Sequence, residues 1–374
     1  MRTYPKPRRA EVFAVAPSAV QLTQRALPPG LLRVRIGPAE VERQHAGGPT
    51  AVTVGGLEPG TEHPLTADLD GQTVTGWPST VSTPKTPGGE LLSRIGSLND
   101  VHIGAGDFGL AHSMREEPQP AVVSSVRCAE AAADALEDWG AEHLFIKGDL
   151  IHQATPSEWA DAARIFGFRP WENHITWGNH ERVDEAACID GVALVGAEPV
   201  KPVAVTDLPG LRVILADSSI AGSNRGSVAG VTDEIVGLAG ESDTPVLLFT
   251  HHNLQPRKFA WMLPSGVSAT EATPLLDALD RAQPKTVAVS GHTHRHRRRT
   301  HGAVTVAEVG SSKDYPGIWS GYEVYEGGLV QIVRRVERPD CLAWTERTGS
   351  ALAGIWGRWS AGTIDDRCFT RRWA

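Results

Sequence analysis

Two periodicities divide the chain. Over the first 88 or so residues apolar positions alternate with polar ones: Leu32, Val34 and Ile36 are separated by Arg33 and Arg35, and His63, Leu65, Ala67 and Leu69 alternate with polar neighbours. A period of two is that of a strand with one buried face. The clusters LPPG, HAGGPT and LEPGTEH separate these runs at the spacing of a small antiparallel β-sandwich. STPKTPGGE then reads as a linker. From about residue 91 strands alternate with helices, the texture of a layered α/β domain. Val122, Val126, Ala129, Ala133 and Leu136 recur at helical spacing, and Gly140 is placed to stop that helix. The strand HLFIKGD follows. A further helix is predicted to start with Thr273 as N-cap and Pro274 at the first helical position, carrying Leu275, Leu279 and Ala282 to a core, before the strand TVAVSG. Beyond residue 337 the tail holds Trp344, Trp356, Trp359 and Trp373, too aromatic for a disordered end. It is expected to pack back onto the α/β domain or between the domains, with an interface as the alternative. The expected division is 1–88, 89–336 and 337–374.

Composition narrows the class. With 41% hydrophobic and 21% charged residues the chain is an ordinary globular sequence rather than a disordered one. A net charge of -8 gives no overall basic field, so nucleic acid and anionic membrane are not the expected partners. Cys128, Cys188, Cys341 and Cys368 lie far apart with no CxxC pair, which argues against a zinc ribbon or a disulfide framework and fits a reducing cytoplasm. Arg8 and Arg9 precede an apolar stretch, but Glu11 and Pro17 interrupt it, and it reads as a first strand rather than a signal peptide. No run has the length of a spanning helix.

The candidate chemistry sits in five short segments of one design, SLNDVH, FIKGDL, TWGNHE, LLFTHH and AVSGHTH. In each an apolar strand runs into a loop bearing residues able to bind metal, and in open α/β sheets such loops converge on a ligand. One such segment alone reads as a surface histidine or a turn. Five in succession point to a site. Mixed imidazole and carboxylate donors suit Zn, Mn, Fe or Ni, and the lack of thiolates removes the usual mark of a structural zinc.

The ordered set D-x-H, G-D, G-N-H-E, H and G-H-x-H resembles the calcineurin-like metallophosphoesterases over roughly residues 91 to 335. The resemblance implies a four-layer α/β/β/α sandwich, here preceded by the small antiparallel β-sandwich. It also implies two divalent transition metal ions. Asp100, His102, Asp149 and His294 would hold one, and Asp149, Asn179, His251 and His292 the other, with Asp149 as the bridge. A bridging hydroxide would attack phosphorus in line. His180 would protonate the leaving oxygen, or alternatively orient a ligand. His252, Arg225 and Arg257 are candidate substrate contacts. Lys258, Trp261, Met262, Tyr315 and Trp319 stand on loops expected to shape the pocket.

Within the superfamily the protein Ser/Thr phosphatases carry Asp-Arg-Gly where this chain reads GDLIHQA, and purple acid phosphatases place a tyrosine where His152 stands. The segment GLEPGTEHPLTADL resembles a strand corner of fibronectin type III domains, with His63 in place of the usual tyrosine. The remaining resemblance is to the bacterial small-substrate branch, including class III cyclic nucleotide phosphodiesterases, although Asn253 replaces the proline that often follows their paired histidines. Repair nucleases share Gly-Asn-His-Glu. The expected activity is hydrolysis of a small phosphodiester, with a monoesterase, a nuclease or a non-catalytic metal-binding scaffold as alternatives; a homodimer is possible in each. The block Arg295, Arg297, Arg298 and Arg299 is expected to be a solvated strand or hairpin rather than a phosphate patch.

Overall fold

The computed structural model describes residues 10–109, 112–118, 120–256 and 265–373. The alternating N-terminal segments form two facing sheets. One holds Ala10–Ala16, Ala19–Leu27 and Gly48–Gly55; the other is built on Gly30–Ile36, flanked by Ala39–His45 and Glu62–Leu69. The period-two residues are the buried ones: Leu32, Val34, Ile36, Leu65, Ala67 and Leu69 face Val20, Leu22, Val52 and Val54. At the corner, buried His63 donates from Nε2 to the carbonyl of Glu58 at 3.1 Å, a bond back to the chain of the kind a corner tyrosine makes.

Two further sheets of six strands stack face to face. The first has the order Glu172–Thr176, His143–Lys147, Leu91–Leu98, Ile318–Tyr325, Gly328–Arg335, Phe369–Arg372. The second runs Val203–Leu208, Leu211–Ala216, Val246–Thr250, Val287–Ser290, Val304–Glu308, Arg297–His301. Between them lies an apolar layer including Ile95, Phe145, Leu215, Phe249, Val289 and Tyr322. Helices Ser124–Trp139 and Pro156–Phe166 cover the outer face of the first sheet, and Thr232–Gly240 and Ala269–Ala282 that of the second. The α/β/β/α sandwich that the resemblance implies is therefore the observed architecture.

Local signals held where a cap is explicit. Helix Ser124–Trp139 ends at Gly140, whose φ of 81° closes it in the left-handed region. The later helix does not begin at Thr273. It starts a turn earlier, with Ser268 as N-cap and Pro274 inside, because Ala269 and Ala272 bury on the second sheet and the lost backbone bond of one proline costs less than that packing.

The tail is integral. Phe369–Arg372 pairs with Gly328–Arg335 as an edge strand, and Trp344 joins the core beneath helix Ser124–Trp139. The first strand crosses the opposite way, placing Phe13 and Ala14 in the layer between the two large sheets. Among the described residues no helix is long and apolar enough to cross a membrane, and the four cysteines are buried and form no disulfide.

Candidate metal centre

The parallel strands of both large sheets end on one side, and there the five segments meet. Strand Leu91–Leu98 delivers Asp100 and His102, His143–Lys147 delivers Asp149, Glu172–Thr176 delivers Asn179 and His180, Val246–Thr250 delivers His251, and Val287–Ser290 delivers His292 and His294. Asp100, His102, Asp149, His292 and His294 all take positive φ, from 48° to 66°. That region costs an ordinary side chain about 1–2 kcal/mol each. Sharp turns at these positions throw the side chains back toward one point rather than along the strands.

The donor atoms are spaced as shared ligands would be. Asp100 Oδ1 and His294 Nε2 are 3.3 Å apart, His102 Nε2 and His294 Nε2 3.4 Å, and His102 Nε2 and Asp149 Oδ2 3.6 Å. Asp149 Oδ2 lies 3.3 Å from His251 Nε2, itself 3.3 Å from Asn179 Oδ1. Two donors bound about 2.0–2.2 Å from one ion stand roughly 2.9–3.6 Å apart. Asp149 belongs to both groups. His292 stands 5.1 Å from His251 by ring centres, and its Nε2 is buried with no hydrogen-bond partner; the same holds for Asp100 Oδ1 and His252 Nε2.

Charge agrees with the spacing. Burial favours the neutral forms, yet Asp149 and Asp100 hold His251 protonated up to about 9, and Asp314 and Asp100 hold His294 up to about 10. Against the same burial, His294 brings Asp100 down to about 2, and His251 keeps Asp149 well below the usual carboxylate range. Protons thus stand where cations would neutralise two buried carboxylates, and metal binding would release them. Burial lowers His292 to about 4 and His102 well below its ordinary value, leaving these imidazoles neutral and able to donate a lone pair.

No model of a known protein family matches the sequence, and no curated protein matches it. Solved structures do. A dimetal phosphatase from Danio rerio aligns over 76% of this chain and 100% of its own, with 14% identity and a TM-score of 0.53. The chain has the metallophosphoesterase fold. Purple acid phosphatase PPD1 from yellow lupin (Lupinus luteus) aligns over 88% of this chain and 73% of its own at 14% identity and a TM-score of 0.46. PhoD covers 91% of this chain and 88% of its own at 10% and 0.45.

Around the donors lie residues to which the sequence assigned no role of their own. Glu181, fully buried, accepts N–H bonds from Asp149 at 2.9 Å, Leu150 at 2.7 Å and Gly178 at 2.7 Å, tying the Gly-Asp loop to the Gly-Asn-His loop. Asp314 Oδ2 sits 2.6 Å from His294 Nδ1, and its Oδ1 accepts from Trp356 Nε1 at 3.2 Å. Asp314 thus stands on the loop that carries Tyr315, and its carboxylate orients an imidazole of the donor group. Beside it, burial lowers Lys313 against the pull of Asp314, Asp100 and Asp149. His180 has Nδ1 2.8 Å from the carbonyl of His152, and the two rings stack with centres 5.2 Å apart.

The remaining candidates scatter. His252 is fully buried, with Nδ1 3.0 Å from Ser218 Oγ and its ring 4.5 Å from His292. Arg225 is exposed on the hairpin strand Ser223–Gly226, next to Asn224, whose Oδ1 accepts from Asn179 Nδ2 at 3.4 Å. Arg257, Lys258, Trp261 and Met262 lie outside the described residues. Tyr315 and Trp319 are buried: Trp319 packs against Trp139 and lines a cavity beside Gln21 and Thr53 of the N-terminal sandwich, and Tyr315 lies under Arg335. Nor is the arginine block a solvated hairpin throughout. Arg295 is fully buried, bonded to Glu308 at 2.6 and 3.0 Å and stacked 4.3 Å from Trp359, because that carboxylate and ring replace its water. Arg299 donates to the Leu254 carbonyl and Arg298 covers Phe369.

Proposed function

We propose that the protein is a dinuclear metal-dependent phosphoesterase that hydrolyses a small phosphodiester, a cyclic nucleotide being one such substrate. The observation that supports this most is the shared Asp149, whose Oδ2 is at ligand spacing from His102 on one side and His251 on the other. Asp100, His102, Asp149 and His294 would hold one ion, and Asp149, Asn179, His251 and His292 the second. The donor set fits: two carboxylates, one amide and four imidazoles, with buried lone pairs left without protein partners. When bound, such a pair supplies Lewis acidity toward the phosphoryl oxygens and an activated water.

The chain's own residues supply the rest. Asn179 adds a donor without adding negative charge, which keeps the centre attractive to an anion. His180 is held by its Nδ1 contact to the His152 carbonyl, so Nε2 is the atom free to carry a proton to the leaving oxygen. Its ring centre lies 4.4 Å from that of His102, which places that proton at the edge of the first donor group. Lys313, which Asp314, Asp100 and Asp149 attract, is a cation that could meet a non-bridging phosphate oxygen. Preference for a diester over a monoester rests on the resemblance to the small-substrate branch.

The deciding assay compares bis-p-nitrophenyl phosphate with p-nitrophenyl phosphate on Mn-loaded protein, with His180→Ala and Asp149→Asn alongside. Diester turnover lost in both variants, with metal retained in His180→Ala and depleted in Asp149→Asn, is the expected result. Preference for the monoester would replace the diesterase reading with a phosphatase. Unchanged turnover in either variant would remove the mechanism.

A further inference from the structure

At the opposite end of the first sheet a second donor cluster stands outside the centre just described. His143 opens the strand whose far end carries Asp149, so the cluster lies roughly 15 Å, a full strand length, from that carboxylate. Parallel pairing sets His143 directly against Glu172, and His174, two residues further on, shares the face of Glu172. His143 Nδ1 is 3.3 Å from His174 Nε2 and 3.6 Å from Glu172 Oε2, and the last two atoms are 4.0 Å apart. A triangle with these edges has all three corners about 2.1 Å from a single point, the bond length of zinc to nitrogen and carboxylate oxygen.

We infer that His143, Glu172 and His174 form a third divalent-cation site, selective for a borderline ion such as Zn2+ and separate from the catalytic centre. The supporting contacts are those a built ligand needs. Thr206 Oγ1 is 3.4 Å from His174 Nδ1, which leaves Nε2 to face the cluster. The His174 ring lies flat on Phe145, 4.2 Å between centres and 9° between planes, so its direction is fixed by packing. Glu172 is the exposed member, 62% exposed at its side chain, and a small swing of it would take the flat triangle to a tetrahedron. Beside the cluster an open cavity of about 380 Å3, rimmed by Glu198, Lys201 and Asp207, leaves room for water as the fourth ligand.

The ion would join two adjacent strands, His143–Lys147 and Glu172–Thr176, at the ends remote from Gly148-Asp149 and Gly178-Asn179. It would therefore staple the sheet without touching the reaction. The test is metal stoichiometry of the intact, Zn-saturated protein after gel filtration, comparing wild type with His143→Ala and with Glu172→Gln. Wild type is expected to retain one equivalent more than His143→Ala, with phosphoesterase turnover equal in the two, and Glu172→Gln to bind that equivalent at least tenfold more weakly. Equal metal content in wild type and His143→Ala would overturn the site. Because the readout is the difference between the two proteins, it stands whether the catalytic centre holds two ions or fewer.

Discussion

Single residues decide how well the centre is preorganised, and two carboxylates outside the donor set carry most of that task. Glu181 accepts backbone N–H groups from both the Asp149 and the Gly178 loops. In Glu181→Gln one carboxylate oxygen becomes an NH2 facing donors, leaving at least one buried donor unsatisfied at about 1–3 kcal/mol. Urea unfolding should show that loss, and kcat should fall with it because Asp149 is no longer held; an unchanged midpoint would mean the loops are held elsewhere. Asp314 acts on one imidazole. Asp314→Asn is expected to weaken metal affinity about 10–100-fold through His294, the range for losing a partner of a ligating histidine. Titration with a chelator measures this directly, and Trp356→Phe, which removes the contact to the other carboxylate oxygen and trims the ring beside His294, should fall between wild type and Asp314→Asn.

At the scale of elements, the site depends on two strand-end loops approaching more closely than side chains allow. A Cβ on Gly178 would come 2.1 Å from Asp149 Oδ1 and 2.5 Å from Asp149 N, and one on Gly148 would come 2.5 Å from Gly178 N. Gly148 also takes a φ of 78°. Gly178→Ala should therefore displace Asp149 and deplete both ions in metal analysis, with turnover at background. If Gly178→Ala kept full metal and activity, the two loops would have to be freer than their packing implies. The glycines of GD and GNH are thus part of the donor geometry as much as the ligands they precede.

Across the whole molecule the N-terminal sandwich is bonded to the α/β domain rather than tethered to it. Gln21 donates from Nε2 to the Arg335 carbonyl at 3.0 Å and accepts from Arg335 N at 2.8 Å, a buried reciprocal pair, and Thr53 donates to Glu337 at 2.6 Å. Arg367 of the tail donates to the Phe13 carbonyl at 3.0 Å and covers its ring. Gln21→Ala leaves Arg335 N without its partner and is expected to cost about 1–3 kcal/mol. Calorimetry of wild type should show one unfolding transition; two separated transitions would mean the units melt independently. Removing metal acts on the same whole. An ion at 100 times its Kd contributes about 2.7 kcal/mol, so chelation should lower Tm and re-addition restore it.

The sequence by itself determined the repeating parts. Alternation placed Leu32, Val34 and Ile36 inside the sandwich, Gly140 ended its helix, and the five strand-to-loop segments named the donors that meet in space. Those features are local: a period, a cap or a strand end is written in consecutive residues. What tertiary structure decided concerns partners far apart in the chain. Arg295 and Arg298 look alike in sequence, yet Arg295 is fully buried against Glu308 and Trp359, whereas Arg298 stays half-buried over Phe369. Glu181 reads as a motif residue until its acceptors prove to join two loops, and Asp314 reads as a turn until Trp356 and His294 arrive on either side of it. His143, Glu172 and His174 become a cluster only through strand pairing. Even the helix start was settled this way, since burial of Ala269 and Ala272 outweighed the start signal of Thr273 and Pro274. Desolvation is the common cause: whether a charged or polar side chain is bound to water or to protein depends on what packs over it, and no stretch of consecutive residues records that.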